Sequence, residues 1–204
     1  MRGETFDFIS NFSTLWQVVL GACLATAGGL AANQFEWRAQ MQRRERNAAL
    51  FFGEVLSSLA VIIKLADHTK KIGDPFGPIT LRMLRSARRE IDIYERNRES
   101  LIDLRDAALR ARMHRLTLRL AMPLDGTFDA SQEIALLEGQ LRSRTLDDED
   151  RSELEARIVG LKERREAGYD YMLENSHEIA KVLSDLAPLA RHVFDLDEFA
   201  LRNT

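Results

Sequence analysis

Hydrophobic and polar residues follow one another along most of the chain with the spacing of an α-helix. Between residues 79 and 120, apolar residues recur at intervals of three, four or seven, with Arg and Glu between them. The same spacing returns in 134–141 and 154–186. Residues at these intervals lie on one face of a helix and indicate that this face is buried. The pattern predicts an all-α protein in which long helices pack as an antiparallel bundle.

Turn-forming residues divide this pattern into separate helices. The densest cluster, at 73–78, contains two Gly and two Pro and must separate two helices. Arginines interrupt the following apolar stripe near 97–100, where we expect a bend or break. Segment 122–126, which contains a Pro and a Gly, predicts the end of that helix, and Ser131 is expected to begin the next one.

A short acidic link at 145–150 joins the last long helices. Acidic residues favour the start of a helix because they interact with its dipole, and a link this short makes 131–144 and 151–165 antiparallel neighbours. Pro188 is expected to kink or end the last helix. The residues after it form an apolar tail that is expected to dock on the bundle or, alternatively, to bind a partner: Val193, Phe194, Leu196, Phe199 and Leu201.

A run of 28 residues that begins at Phe8 contains no charged residue. Its apolar centre, 15–32, would be about 27 Å long as a helix, close to the thickness of the bilayer core. Trp16 lies at one end of this centre and Phe35 and Trp37 at the other, as expected for side chains that prefer the membrane interface. The run predicts a transmembrane helix over 15–34. A buried core helix and a cleaved signal peptide are the alternatives.

Charged residues on the two sides of the predicted span determine its expected orientation. Residues 1–14 carry one Arg and two acidic residues, whereas four arginines follow the span: Arg38, Arg43, Arg44 and Arg46. Because basic flanks stay in the cytoplasm, we expect a short extracytoplasmic tail at 1–14 and a cytoplasmic helical-bundle domain at 35–204. The arginines would then lie next to anionic lipid headgroups.

Small residues recur inside the predicted span: Gly21, Ala25, Gly28 and Gly29. Such residues let two helix backbones approach closely, which favours helix association in lipid. We expect this face to pack on a second copy of the chain or on a helix of another membrane protein. The single cysteine, Cys23, is expected to be a small packing residue of the same helix.

A second apolar run, 48–66, follows the predicted span with no helix-breaking residue between them. It could form a second span in a membrane hairpin, but Glu54 and Lys64 would be costly in lipid. A hairpin would also leave the basic segment 38–46 outside the cytoplasm. We therefore expect 48–66 to be a core helix of the bundle, with Glu54 buried and paired with an Arg.

Composition and charge narrow the class of protein further. The chain of 204 residues is 45% hydrophobic and 30% charged, which excludes an intrinsically disordered chain. Only 4 Pro and 11 Gly argue against an all-β fold, and 1 Cys excludes a disulfide framework. The net charge is +7 over 36–119 and −9 over 120–204, so the two parts are expected to pair with each other or to bind charged partners.

Two patterns have the spacing of a chemical or binding site. Glu174 and His177 match half of a di-iron carboxylate site, but no other His has a Glu three residues before it. Arginines in 82–98 could follow a nucleic-acid backbone, but acidic residues alternate with them and no aromatic stacking platform accompanies them. We therefore expect no metal, no cofactor and no nucleic-acid partner.

These observations favour a non-enzymatic function in a membrane. The expected protein is a single-pass, membrane-anchored helical scaffold or interaction module that self-associates, in part through coiled-coil-like helices. An accessory subunit of a larger membrane complex is the alternative. A helical-bundle enzyme with a di-metal or other site is the third interpretation.

Overall fold

The structure is a computed structural model that describes residues 4–143 and 147–194, with side chains from Val19 onward except those of residues 22, 27 and 31. The described residues form helices and turns and contain no β-strand, which confirms the all-α prediction. The helices are α1 (Glu4–Ile72), α2 (Pro78–Arg96), a 3-10 helix (Arg98–Asp103), α3 (Ala107–Ser143), α4 (Asp148–Ser176) and α5 (Glu178–Ala190). The chain divides into two compact units, Met1–Arg44 and Glu45–Thr204.

The second half of α1 supplies one side of the core of the Glu45–Thr204 unit. Its buried side chains recur at helical spacing and include Phe52, Leu56 and Ile63, each at most 1% exposed. This burial agrees with the interpretation of 48–66 as a core helix. Glu54 is exposed, however, so the prediction of a buried carboxylate is wrong. Position 54 lies about 200° around the helix from Phe52, which places it on the solvent side although its sequence neighbours are apolar.

Helix α2 returns antiparallel to α1. The turn between them falls at 73–77, inside the predicted cluster. Next to the turn, the side-chain oxygens of Thr69 and Thr80 lie 3.4 Å apart. At the far end of the pair, the rings of Phe52 and Tyr94 pack edge to face with their centroids 5.4 Å apart. α2 therefore packs along the last part of α1, from Thr69 back to Phe52.

The break predicted near 97–100 is confirmed. Asn97 caps α2, because its side-chain Nδ2 donates to the backbone oxygen of Ile93 at 2.8 Å. Beyond the 3-10 helix, Asp106 begins α3, and its Oδ1 accepts a hydrogen bond from the backbone nitrogen of Leu109 at 3.0 Å. This hydrogen bond favours the charged carboxylate and lowers the pKa of Asp106. Side-chain caps thus fix both sides of the connection.

Helix α3 continues through Pro123, so the predicted helix end at 122–126 and the predicted helix start at Ser131 are both wrong. A proline in a helix interior removes a hydrogen bond and costs about 3 kcal/mol. Burial on both sides of it offsets this cost, since Leu120 and Leu124 are at most 1% exposed. Each fully buried Leu contributes about 1.5–3 kcal/mol, so the continuous apolar face outweighs the local signal.

Helix α3 runs antiparallel to α4 and α5. Three ion pairs show this, because their positions rise along α3 as they fall along the other two helices: Arg112–Asp185 at 2.7 Å, Arg119–Glu178 at 3.1 Å and Glu138–Lys162 at 3.0 Å. This order agrees with the predicted antiparallel pairing of 131–144 with 151–165, which contact each other at Glu138 and Lys162. The acidic link also acts as expected at its end, where Asp147 caps α4 by accepting from the Asp150 nitrogen at 2.8 Å.

The chain beyond α5 contacts the core in part. Pro188 lies inside α5, which ends two residues later, and Arg191 then adopts the left-handed conformation with a φ of 52°. Phe194 packs against the core, whereas Val193 is 81% exposed. The remaining residues of the predicted apolar tail lie outside the described residues: Leu196, Phe199 and Leu201.

The buried residues form two clusters that adjoin near Pro123. The larger cluster joins the second half of α1, α2, the 3-10 helix, the first part of α3, the end of α4 and α5. The smaller cluster joins only α3 and α4: Ala130, Ile134, Leu137, Ile158 and Leu161. The second unit is therefore a helical bundle from which an α3–α4 hairpin extends.

Candidate functional site: the exposed apolar helix and its attachment

The described residues between Val19 and Trp37 expose apolar surface along one helix. Six of the fifteen large hydrophobic side chains exposed among the described residues fall in this stretch: Val19, Leu20, Leu24, Leu30, Phe35 and Trp37. The exposed fraction is 69% at Leu24 and 71% at Phe35. Contiguous exposed apolar surface of this kind marks an interface with a membrane or with another protein.

The four small residues predicted to pack inside the membrane are exposed on this helix: Gly21, Ala25, Gly28 and Gly29. They share an arc of about 100° around the helix. At the three glycines an added Cβ would meet no atom within 4 Å, so no described atom of the chain occupies that space. Cys23 is also exposed, but it lies on the opposite side of the helix, about 200° from Gly21.

One helix in the described part of the chain is long and apolar enough to cross a membrane, judged by length and composition alone. The 18-residue stretch that meets this criterion is half buried. Buried positions begin only at Ala48, so that stretch includes residues of the core helix 48–66. Because the core helix of a soluble protein passes the same test, the exposure of the residues from Val19 to Trp37 is the more informative observation.

The four arginines predicted to lie at the membrane are all exposed, but they differ in what they contact. Arg38, Arg43 and Arg44 belong to the first unit. Arg46 begins the bundle, where its Nε donates to the backbone oxygen of Ala190 at 3.3 Å. A cation is favoured at this position because the last carbonyls of a helix lack partners within the helix. Arg46 therefore holds the end of α5 in addition to any contact with lipid.

Glu45 ties the beginning of the bundle to the connection between α2 and α3. Its Oε1 accepts from the backbone nitrogen of Arg105 at 3.1 Å, and its Oε2 lies 3.6 Å from Arg105 Nε. The Glu45 side chain is only 15% exposed, whereas that of Arg105 is 62% exposed. Glu45 and Arg46 directly follow the first unit, so paired polar contacts fix the point at which the chain enters the bundle.

The residues of the predicted metal half-site, Glu174 and His177, are both exposed. His177 lies between α4 and α5, so the two residues do not share one continuous helix. Among the described residues, no group of three or more His, Cys, Asp or Glu could hold a metal ion. A di-iron site needs carboxylates and histidines from facing helices, and the described part of the chain does not bring such a set together.

Arg88, in the basic run of α2, is paired with carboxylates. Its Nε donates to Asp125 Oδ1 at 2.8 Å, and its Nη1 lies 2.5 Å from Asp92 Oδ1 and 3.7 Å from Glu95 Oε2. The hydrogen bond to Asp125 is the main reason why the pKa of Arg88 is raised. At this position the structure agrees with a salt-paired helix surface and leaves no cation for a nucleic-acid backbone.

A cluster of cations on aromatic rings joins α1, the α1–α2 turn and α4. Lys70 Nζ lies 4.1 Å from the ring centroid of Tyr169, and Arg165 Cζ lies 3.9 Å from that of Phe76. Burial, reinforced by the charge of Asp67, raises the pKa of Tyr169 well above its usual range. Burial lowers the pKa of Arg165. The cluster was not predicted, because its members come from three elements and no periodicity within one helix reveals it.

Comparisons of the chain with protein-family models, with curated proteins and with solved structures find no match. The exposed apolar helix and the polar contacts at the start of the bundle therefore carry the functional conclusion.

Proposed function

We propose that the chain is a single-pass, membrane-anchored helical interaction protein without catalytic function. In this proposal residues 15–34 cross the bilayer, 1–14 form a short extracytoplasmic tail and 35–204 lie in the cytoplasm. The exposed apolar surface between Val19 and Trp37 supports the proposal most directly. Lipid would remove that surface from water, and the apolar core of the second unit is already buried by its own helices.

Two observations support a single span with this orientation. Residues 48–66 supply buried side chains to the bundle, and Glu54 faces solvent, which argues against a second crossing. The exposed arginines at 38, 43 and 44 follow the span on the side that should stay in the cytoplasm. They would also contact anionic lipid headgroups, with an attraction of about 1 kcal/mol for each arginine near the surface.

The proposed interaction within the membrane uses the face formed by Gly21, Ala25, Gly28 and Gly29. That face is exposed, and its glycines have room for a neighbouring backbone. Contacts between spans are individually small, about 1 kcal/mol, so several small residues on one arc are needed for stable pairing. A second copy of the chain is the proposed partner.

An accessory subunit of a larger membrane complex is the second candidate function. Exposed apolar side chains on the bundle favour it, notably Ile102 at 79% and Met122 at 73% exposure. In that case a helix of another protein would occupy the small-residue face, and the bundle would dock on the same protein.

A comparison of two double variants tests the membrane anchor. Leu20→Arg/Leu24→Arg should release the protein from membranes during alkaline extraction, because each Arg near the bilayer centre costs about 2.5–3.5 kcal/mol. Leu118→Arg/Met122→Arg adds the same charge to exposed positions of the bundle and should leave the protein in the membrane fraction. Extraction of the wild type under the same conditions, or equal behaviour of both variants, would contradict the anchor.

A reporter fused after Thr204 tests the orientation. We expect it to be active in the cytoplasm and to resist proteases added outside intact cells. The mature protein should also keep its full-length mass, since loss of about 30 residues would indicate cleavage by signal peptidase. A reporter active only on the outer face would overturn the proposed topology.

A further inference from the structure

A basic cleft lies between α3 and α5. It has a volume of about 410 Å³ and is lined by Arg112, Arg115, Arg119, Glu178, Lys181 and Val182. Four of these six residues are cations and one is a carboxylate. The three arginines follow one another at helical spacing, so they project from the same face of α3. The cleft therefore brings together four cationic side chains that repel one another.

Carboxylates compensate this charge only at the two ends of the cleft. Arg112 Nη1 lies 2.7 Å from Asp185 Oδ2, and Arg119 Nη1 lies 3.1 Å from Glu178 Oε1. Between them, Arg115 and Lys181 are exposed. In the described part of the chain, neither central side chain has an ion pair within 4 Å. The centre of the cleft thus holds two cations without a described counter-charge.

The centre of the cleft differs from the surroundings of Arg88 in α2. There, Arg88 alone is matched by Asp92, Glu95 and Asp125. In the cleft between α3 and α5, carboxylates pair with the two outer arginines and hold their guanidinium groups in place. The two cations at the centre of the cleft have no such partner among the described residues. This arrangement is typical of an anion site, in which fixed outer cations surround a position that an oxyanion can fill.

We propose that the cleft binds an oxyanion of the phosphate class. The Arg115 guanidinium would donate two parallel hydrogen bonds to phosphate oxygens, and Lys181 would act as a point charge from α5. Arg112 and Arg119 would position the ligand from the two ends. The volume exceeds that of a phosphate group, so the phosphate of a larger molecule also fits. This inference goes beyond the proposed function, although its test in nanodiscs uses the proposed membrane anchor.

The ligand can come from lipid or from solution. Arg112 and Arg119 lie about 8–18 Å along α3 from Ala107, at the end of the bundle where Glu45 contacts Arg105. A phosphate that projects from a membrane surface at that end would be within reach of the cleft, as would a soluble phosphate compound. The two sources share the same chemistry at Arg115 and Lys181.

Equilibrium dialysis of inorganic phosphate against the full-length protein tests the site. The protein is held in nanodiscs of phosphatidylcholine, and chloride keeps the ionic strength constant. We expect saturable binding of one phosphate per chain. Arg115→Gln/Lys181→Gln should weaken it at least tenfold. Arg82→Gln/Arg89→Gln removes the same charge from exposed positions of α2 and should change the affinity less than twofold.

Two results would overturn the proposal: no saturable binding to the wild type, or equal weakening by both double variants. Thermal unfolding followed by circular dichroism verifies that both variants are folded. A second set of nanodiscs that contain phosphatidic acid distinguishes the sources. Loss of inorganic phosphate binding in these discs supports the site and assigns it to a lipid headgroup. Unchanged binding supports the site and assigns it to a soluble phosphate compound.

Discussion

The ring of Phe194 occupies the space in which a side chain on Gly53 would lie. A Cβ added to Gly53 would be 2.0 Å from Phe194 Cζ, far inside van der Waals contact. Gly53 is in the interior of α1, where glycine costs about 0.5–1 kcal/mol relative to alanine. Glycine suits this position because it leaves room for the Phe194 ring. Through this contact, the chain beyond α5 packs on α1.

Gly53→Ala should therefore have opposite effects in two backgrounds. In the wild type it displaces the Phe194 ring, so we expect a neutral or lower free energy of unfolding despite the better helix propensity of alanine. In a Phe194→Ala background the same change should stabilise the protein by about 0.5–1 kcal/mol. Chemical unfolding of the four proteins in this double-mutant cycle measures the coupling.

Gly160→Ala provides the control for this cycle. An added Cβ at Gly160 meets no atom within 4 Å, so alanine should stabilise α4 by about the same 0.5–1 kcal/mol in both backgrounds. Additive effects of Gly53→Ala and Phe194→Ala would show that the ring does not rest on Gly53.

Pro123→Ala should stabilise the protein, because α3 passes through this position. Alanine restores a backbone N–H to the helix and removes the clash of the ring with the preceding turn, with a gain of up to about 3 kcal/mol. Thermal unfolding followed by circular dichroism measures the change. A neutral or destabilising effect would indicate that the helix ends at 122–126, as the local sequence alone predicts.

Tyr169 should make the free energy of unfolding fall at alkaline pH. Its folded pKa is raised by burial, so the hydroxyl stays neutral in the folded state after it ionises in the unfolded chain. The stability that depends on the raised pKa is complete below about pH 10 and is lost as the pH rises above it. One group contributes a slope of about 1.4 kcal/mol per pH unit.

Tyr169→Phe should remove this contribution and leave a shallower loss of stability above pH 10. Tyr94, whose pKa is also raised by burial, remains in the variant and keeps part of the slope. Urea unfolding at a series of pH values compares the pH profiles of the two proteins. Parallel pH profiles would contradict a buried, neutral Tyr169.

The small-residue face can be tested by disulfide cross-linking in membranes. Native Cys23 lies on the opposite side of the helix, whereas Ala32 lies within the arc of the small residues, about 20° from Gly21. We expect Ala32→Cys in a Cys23→Ser background to cross-link two chains on oxidation. Native Cys23 serves as the control and should cross-link poorly.

Gly21→Ile/Gly29→Ile should abolish cross-linking at position 32 while the amount of protein in the membrane stays the same. Bulky side chains separate packed backbones but keep the segment apolar, so insertion is preserved. Cross-linking that persists in this variant, or that is equal from Cys23 and from position 32, would contradict pairing through the small-residue face.

Hydrophobic spacing was sufficient to predict the all-α class, but not the continuous course of α3 through Pro123. The cost of Glu54 and Lys64 in lipid favoured 48–66 as a core helix instead of a second span, and Phe52, Leu56 and Ile63 are indeed buried. The prediction failed at Glu54, whose burial was inferred from its sequence neighbours instead of from its position around the helix. Glu54 stands between apolar residues in sequence, but the helix turns it toward solvent.

The candidate site was less predictable, because its contacts join distant parts of the chain. The hydrogen bond from Arg105 to Glu45 and that from Arg46 to Ala190 span 60 and 144 positions. No periodicity within one helix contains that information. Pro123 also shows the effect of tertiary contacts. The local sequence predicts a helix end there, but α3 continues because it buries an apolar face against its neighbours.

The hairpin beyond Pro123 has a thermodynamic consequence of its own. Its cluster holds only five buried residues, whereas ordering each backbone position costs about 1–2 kcal/mol. Such a hairpin can form because α3 and α4 also pack in the larger cluster, and extending a helix is far easier than starting one. The described part of this hairpin should therefore open and reclose many times during the lifetime of one folded bundle, so that its amide exchange reports local opening and not global unfolding.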